Sequence, residues 1–132
     1  MTDRDIANFE EFWRFYVKEH RKKSTRIFHF VGTTAAIGCL AGGLLTKRRW
    51  LLAVAPLVGY GPAWMSHFFV EGNKPASFTH PLWSLQADLV MWWKTIRREM
   101  DAEVDRILAD EAKAGDASHE ATDSVVPGEA VN

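Results

Sequence analysis

One cysteine, Cys39, in 132 residues excludes a disulfide scaffold and any thiolate-rich zinc site. The chain also lacks an excess of charge: 16 Lys and Arg stand against 17 Asp and Glu, for a formal net charge of −1. A nucleic-acid-binding domain usually carries a strongly basic face, so no nucleic-acid partner is expected. No GxSxG, HExxH or P-loop sequence occurs, which removes the common signatures of serine hydrolases, zinc proteases and nucleotide-binding enzymes. Gly59-Tyr60-Gly61 is a poor nucleotide turn because it lies inside an apolar run. The length leaves room for one domain with a modest core and none for a separate cofactor domain.

The most telling absence is local. Residues 27–46 and 50–70 carry no charged side chain, whereas residues 1–26 hold seven basic and five acidic ones and residues 94–114 hold five and six. Only Lys47, Arg48 and Arg49 separate the two stretches. The mean hydropathy of −0.18 therefore averages two unlike materials. The stretches are 20 and 21 residues long. As helices each reaches roughly 30 Å, the thickness of a bilayer's hydrocarbon core.

Two buried helices of a soluble bundle are the alternative, but so small a domain rarely hides two such helices from water. The pattern predicts a hairpin of two membrane spans joined by a tight basic turn. Pro56 and Pro62 would kink the second span, which neighbouring helices tolerate within a membrane. The steps Gly38/Gly42 and Gly59/Ala63 mark candidate close approaches. With no signal-type apolar stretch in residues 1–26, the first span is expected to act as its own insertion signal. Basic residues at the entrance (Arg21, Lys22, Lys23, Arg26) and beyond the exit (Lys94, Arg97, Arg98) outnumber those in the turn. That bias places both termini in the cytoplasm.

Residues 6–20 read as a helix with Phe9, Phe12, Trp13, Tyr16 and His20 on one stripe, opposite Glu10, Glu11, Arg14 and Lys18. Such a helix suits the membrane interface, and packing on the hairpin is compatible with that. Thr79-His80-Pro81 marks another helix start. From there Leu82, Leu85, Leu89, Trp92, Ile96, Met100, Val104 and Ile107 keep steps of three and four. They predict one long amphipathic C-terminal helix whose apolar stripe asks for a partner, such as a second copy in a homodimer. The last 18 residues hold four acidic and no basic side chains. Residues 115–132 are expected to be a disordered acidic tail, and residues 1–114 a single all-α, membrane-embedded helical bundle.

The histidines carry the chemistry. His119 falls in the tail. His29 lies near the start of the first span and His67 near the end of the second, so an antiparallel hairpin brings them to one depth on one side. His20 closes the preceding helix at that entrance. Glu71 lies one turn beyond His67, and His80 and Asp88 belong to the segment that starts at this boundary. Any one of these histidines alone is more readily a hydrogen-bonded structural residue. Together, four imidazoles and two carboxylates near one membrane surface point to a metal. Histidine and carboxylate without thiolate suit iron(II), manganese or zinc, and the pattern does not choose among them. A bis-histidine haem protein using His29 and His67, and a scaffold with structural histidines, are the rival readings.

Three blocks of sequence are specific enough to compare with a known family. The first is Phe15-Tyr16-Val17-Lys18-Glu19-His20 followed by His29-Phe30-Val31-Gly32-Thr33. The second runs from Ala63-Trp64-Met65-Ser66-His67 through Glu71-Gly72-Asn73-Lys74-Pro75-Ala76-Ser77-Phe78. The third is His80-Pro81-Leu82-Trp83-Ser84-Leu85 with Asp88. Together they resemble the small membrane-embedded 2-hydroxy fatty acid dioxygenases, a family named for a yeast enzyme of phytosphingosine breakdown. The likeness covers roughly residues 8–95, and His67-x3-Glu71-x-Asn73-x-Pro75-Ala76 is its most distinctive part.

The resemblance implies an Fe(2+)-dependent α-oxidation: a 2-hydroxy fatty acid and O2 give an acid one carbon shorter and CO2. On the matching positions it implies His20, His29 and His67 as the catalytic iron ligands, with Glu71 and His80 as further ligands. Asn73, Lys74 and Arg26 are expected at the substrate's head group, although Gly72 and Lys74 stand where more basic residues are common. The oxidation removes four electrons and O2 accepts four, so no reducing cosubstrate is required. That suits a chain with no nucleotide or flavin fold. The implied setting is a multi-pass protein of the bacterial inner membrane, with the acyl tail in lipid and the carboxylate at the iron.

Overall fold

The computed structural model describes residues 5–123, whose regular structure is all helical. Five α-helices follow in order: α1 Phe9–Glu19, α2 Lys23–Thr46, α3 Arg49–Ser66, α4 Pro81–Ile96 and α5 Met100–Asp123. A π-helical turn, His67–Glu71, and a 3-10 turn, Ala76–Phe78, link α3 to α4. The all-α class expected from the periodicities is the class the chain forms.

Helix starts follow from local chemistry. Asn8 Oδ1 accepts from the Glu11 N–H at 3.0 Å, and Glu11 in turn accepts from the Ala7 N–H and the Asn8 amide. This reciprocal cap satisfies amides that a helix start leaves free. Pro81 opens α4 in the first turn, where its missing N–H costs nothing.

α2 and α3 form the hairpin. Lys47, left-handed at φ 57°, ends α2, and α3 starts two residues later. Gly32 meets Gly59, Gly42 meets Leu51 and Gly43 meets Leu52, the register of an antiparallel pair. The tightest approach is at Gly32, where a Cβ would lie 2.6 Å from the Gly59 carbonyl oxygen and 3.3 Å from that of Val58. Pro62 has no N–H to offer Val58, which leaves that carbonyl free to face the α2 backbone. Of the expected close approaches, Gly59 and the buried Ala63 lie in the helix pair, whereas Gly38 has open space beside it.

Among the described residues, one helix, α2, is long and apolar enough to cross a membrane. The second charge-free stretch does not make a matching span. α3 stops after 18 residues at Ser66, because the His67 carbonyl accepts from both Gly72 (2.8 Å) and Asn73 (3.1 Å) and widens the chain into the π-helical turn. Gly72, at φ 77°, supplies the left-handed stop. The expected pair of spans is thus a hairpin of one spanning-length helix and a shorter partner.

The apolar core lies elsewhere, between α1, α4 and α5, where Phe12, Tyr16, Val17, Met91, Met100 and Ile107 are buried together. This corrects two expectations. The aromatic stripe of α1, expected in the membrane interface, is spent inside the protein: Phe12 is 0% and Tyr16 1% exposed. The expected long C-terminal helix is two helices. The Lys94 carbonyl accepts from the Glu99 N–H at 2.9 Å and the Thr95 carbonyl from the Arg98 N–H at 3.1 Å, with Arg98 left-handed at φ 57°. That is a Schellman stop. It folds α5 back onto α1, so Met100, Val104 and Ile107 of the stripe are buried within the chain, whereas Leu82, Leu85, Leu89 and Ile96 on α4 stay exposed. α5 then runs through Gly115 to Asp123, so the segment expected to be disordered from residue 115 is helical that far. Ala112, Ala114 and Ala117 favour it. Residues 124–132 of the expected tail lie outside the described residues.

Glu103 ties these helices together. It accepts from the Trp13 indole and from Arg106, both at 2.9 Å, with Lys94 Nζ at 3.7 Å. Burial pushes its carboxyl up, but these donors outweigh burial and hold it below the usual glutamate range. A carboxyl held down by the fold stabilises it above the unfolded value and loses that contribution as pH falls through the folded one. The melting temperature of the purified protein should therefore drop as pH is lowered past about 4.3. Glu103→Gln should flatten that drop and cost on the order of 1 kcal/mol at neutral pH. A pH dependence unchanged in the variant would remove Glu103 from this role. Arg98→Gly, which relieves a left-handed side-chain-bearing residue, should raise stability by roughly 1 kcal/mol in the same melts.

Candidate metal centre

Three different elements supply the three central side chains. His20 caps the C-terminus of α1, His29 lies in the second turn of α2, and His67 opens the π-helical turn after α3. All three are buried, at 0%, 5% and 2% exposure. The His29 Nε2 lies 3.1 Å from the His20 Nε2 and 3.2 Å from the His67 Nε2. One ring nitrogen from each falls within 4.8 Å of the other two. The ring planes cross at 83°, 86° and 89°. Three imidazoles thus turn their Nε2 edges inward from three directions.

Their outer nitrogens explain why. The His20 Nδ1 meets the Tyr16 carbonyl at 2.6 Å, the His29 Nδ1 meets Asp88 Oδ1 at 2.9 Å, and the His67 Nδ1 meets Asn73 Oδ1 at 2.7 Å. Asn73 is oriented by its own amide, which donates to the Glu19 carbonyl at 3.1 Å and carboxylate at 2.6 Å. Each Nδ1 therefore faces an acceptor, so each neutral ring carries its proton there and keeps a lone pair on Nε2. Burial, reinforced by the His29 and His67 rings, pushes His20 well below the usual histidine range. Burial and then Asp88 push Tyr16 well above the usual phenol range, so it stays protonated and donates to Asp88.

Three unprotonated nitrogens cannot hydrogen-bond one another. At this separation they repel unless a cation lies among them. Two cis nitrogen ligands at about 2.1 Å from one ion are roughly 3.0–3.4 Å apart, which brackets both measured separations. A void of about 10 Å³ borders the three rings, enough for one water-sized occupant. Ser84 lines it with a buried hydroxyl that has no hydrogen-bond partner. The donor set fits a borderline divalent metal with further positions open. It does not fit haem: axial nitrogens on one iron stand roughly 4 Å apart with the macrocycle between them. His29 and His67 are closer than that, and the void is too small.

The other expected site residues are dispersed. Glu71 accepts from the Lys22 backbone N–H at 2.8 Å and so fastens the start of α2 instead of joining the cluster. His80 stacks on Trp83 and meets Phe12 edge-on, with ring centroids 5.1 and 5.5 Å away. Arg26 is buried, donating to the His20 carbonyl at 2.9 Å and to Asp101 at 2.6 Å. Lys74 is exposed. Asn73 reaches the site as the partner of His67. Tyr16 and Ser84 were not anticipated, and Asp88 was noted for its position but not as the partner of His29. Two signals pointed to them: Tyr16 lies one turn before His20, and Asp88 is the lone acid between Glu71 and Glu99.

Loss of an outer hydrogen bond to a ligating histidine typically weakens metal binding about 10- to 100-fold. Asn73→Ala should do so in a chelator-competition titration, whereas Glu71→Gln should stay near wild type. Equal losses in both variants would restore Glu71 as a ligand.

The family model described as 2-hydroxy-palmitic acid dioxygenase Mpo1-like matches residues 6–100, a span that holds His20, His29, His67, Asn73 and Asp88. Comparisons with curated proteins and with solved structures return no match. The family match spans most of the chain and includes every residue of the imidazole cluster, and on that basis the chain belongs to the Mpo1-like family.

Proposed function

We propose that the protein is an iron(II)-dependent dioxygenase that converts 2-hydroxy fatty acids at a membrane boundary into acids one carbon shorter. The carrying observation is the trio of buried imidazoles, each with its Nδ1 bonded to an acceptor, in a family whose description is a 2-hydroxy-palmitic acid dioxygenase. The balance is one hydroxy acid plus one O2 giving the shortened acid, CO2 and water, with four electrons lost and four accepted. Bound iron(II) would supply the one-electron chemistry with O2 that no side chain here can provide.

The chain's own residues set the conditions. As ligands, His20, His29 and His67 would bind through neutral nitrogens, so a bound divalent ion would keep positive charge to attract a substrate carboxylate. Asp88, Asn73 and the Tyr16 carbonyl hold the rings in one tautomer. Ser84 offers a buried hydroxyl with no competing partner beside the rings.

The surface supports a membrane setting. Leu44, Leu45 and Leu57 on the hairpin are 70%, 84% and 71% exposed, more apolar surface than a water-soluble helix pair would display. In this reading α2 and α3 lie in the bilayer, and the ionic α1 and α5 stand on the side of the termini. The metal centre sits at the boundary between them.

The test is anaerobic loading of the purified protein with iron(II), followed by O2 and 2-hydroxypalmitate. Pentadecanoic acid and CO2 should form in equal amounts, with one O2 consumed per acid. His67→Ala should lose both bound iron and product. Iron-loaded protein that consumes no O2 with 2-hydroxy acids of any chain length would sink this reading.

A further inference from the structure

A groove of about 390 Å³ runs between α2, α3 and α4. One end is formed by His29, Tyr60 and Asp88, and these same residues border the small void beside the imidazoles. The rest is apolar, with Ala36 and Gly59 along its length and Leu40 and Leu52 at the other end. Asp88 is its only charged residue, and that carboxylate is already engaged by Tyr16 and His29. From its chemistry the groove takes an unbranched apolar ligand whose polar end lies against the metal centre.

We propose that this groove is the subsite for the hydrocarbon tail of the hydroxy acid, and that Leu40 and Leu52 set the longest tail it accepts. The proposal rests on the activity argued above and adds where the tail lies and what measures it. The register along α2 gives the scale: the eleven steps from His29 to Leu40 span roughly 16 Å, on the order of a dozen methylene groups. α2 and α3 cannot move closer together to close this space. At Gly59 a Cβ would already lie 3.2 Å from the Ala36 Cβ, and at Gly32 the two backbones are in contact.

The groove is open along its flank, where Leu40, Leu85 and Leu89 are 45%, 48% and 46% exposed. A tail can therefore enter sideways from lipid without crossing water. That route has an energetic consequence. Transfer from a bilayer into an apolar groove removes no further hydrocarbon from water, so longer tails gain little affinity. Selection by length is then steric and takes the form of a cut-off, not a steady rise with each added carbon.

The experiment uses the full iron-loaded chain in lipid nanodiscs with 2-hydroxyoctanoate and 2-hydroxypalmitate. Ala36→Phe, which fills the middle of the groove, should lower the long-to-short ratio of kcat/KM by roughly tenfold or more, with iron content as the check on folding. In parallel, 2-hydroxypalmitate bearing a diazirine at its terminal carbon should label peptides around Leu40 and Leu52, and unlabelled acid should compete. Uncompeted labelling of the outward Leu44, Leu45 and Leu57 instead, as lipid-dissolved acid would give, overturns the proposal. Turnover with a length profile unmoved by Ala36→Phe also overturns it while leaving the oxidation intact. Competed labelling at Leu40 and Leu52 without any turnover keeps the groove and sinks the oxidation.

Discussion

Three imidazoles held nose to nose in a buried space are the constraint on which the molecule depends. Their Nε2 atoms approach to 3.1 and 3.2 Å while each Nδ1 faces an acceptor, an arrangement that turns lone pairs toward one another and that a protein interior penalises unless something positive completes it. Rotating any one ring would relieve the repulsion, so each ring must be prevented from rotating. The Tyr16 carbonyl, Asp88 and Asn73 do this from outside. These acceptors come from α1, α4 and the linker after α3, so the lone pairs converge only once the whole fold has assembled. Binding of a metal ion by these rings would therefore be coupled to folding.

The backbone is fastened accordingly around these rings. Arg26 reaches back from α2 to the His20 carbonyl and across to Asp101 on α5, binding the short α1–α2 link to the far helix. Glu71 takes the Lys22 N–H, and Lys22 Nζ reaches the Val70 carbonyl, so the start of α2 and the end of the π-helical turn move together. His29 and His67 lie just inside these two ties. The backbone contact at Gly32 and Gly59 then fixes the spacing of α2 and α3 further along the hairpin. A basic and an acidic residue that read as substrate and metal contacts are thus spent on the frame that holds the metal site.

How much of this was legible in the sequence follows from which signals are local and which are relational. Helix existence was legible, since the three-and-four spacing, the Asn8 and Pro81 starts and the charge-free run of α2 are all local. The meeting of His20, His29 and His67 was legible because a tight hairpin leaves little choice of depth. Glu71 and His80 lie at the same depth, but depth alone does not say which way a side chain turns. His80 goes to Trp83 and Phe12, and Glu71 to a backbone amide. The break at Arg97 and Arg98 was hidden because a Schellman stop without glycine leaves the apolar period undisturbed on both sides. Once α5 folds back, Met100, Val104 and Ile107 join the core with α1, while the α4 half of the stripe keeps facing outward.

The division between core and hairpin accounts for where the chemistry sits. A chain of 132 residues has apolar side chains for one well-packed core, and it places that core among α1, α4 and α5. The hairpin is left with its leucines facing outward, the surface on which the proposed membrane setting rests. A metal site buried in the core would be out of reach of a lipid substrate. One halfway along the hairpin would force the acid's carboxylate into hydrocarbon, where an unpaired charge is costly. Under the proposed function, the imidazoles lie at the level that would avoid both costs, where the core meets the ends of the hairpin. There α1 and α4 supply the outer hydrogen bonds and the groove between α2, α3 and α4 begins. In that reading the same boundary would both fix the ligands and present the substrate.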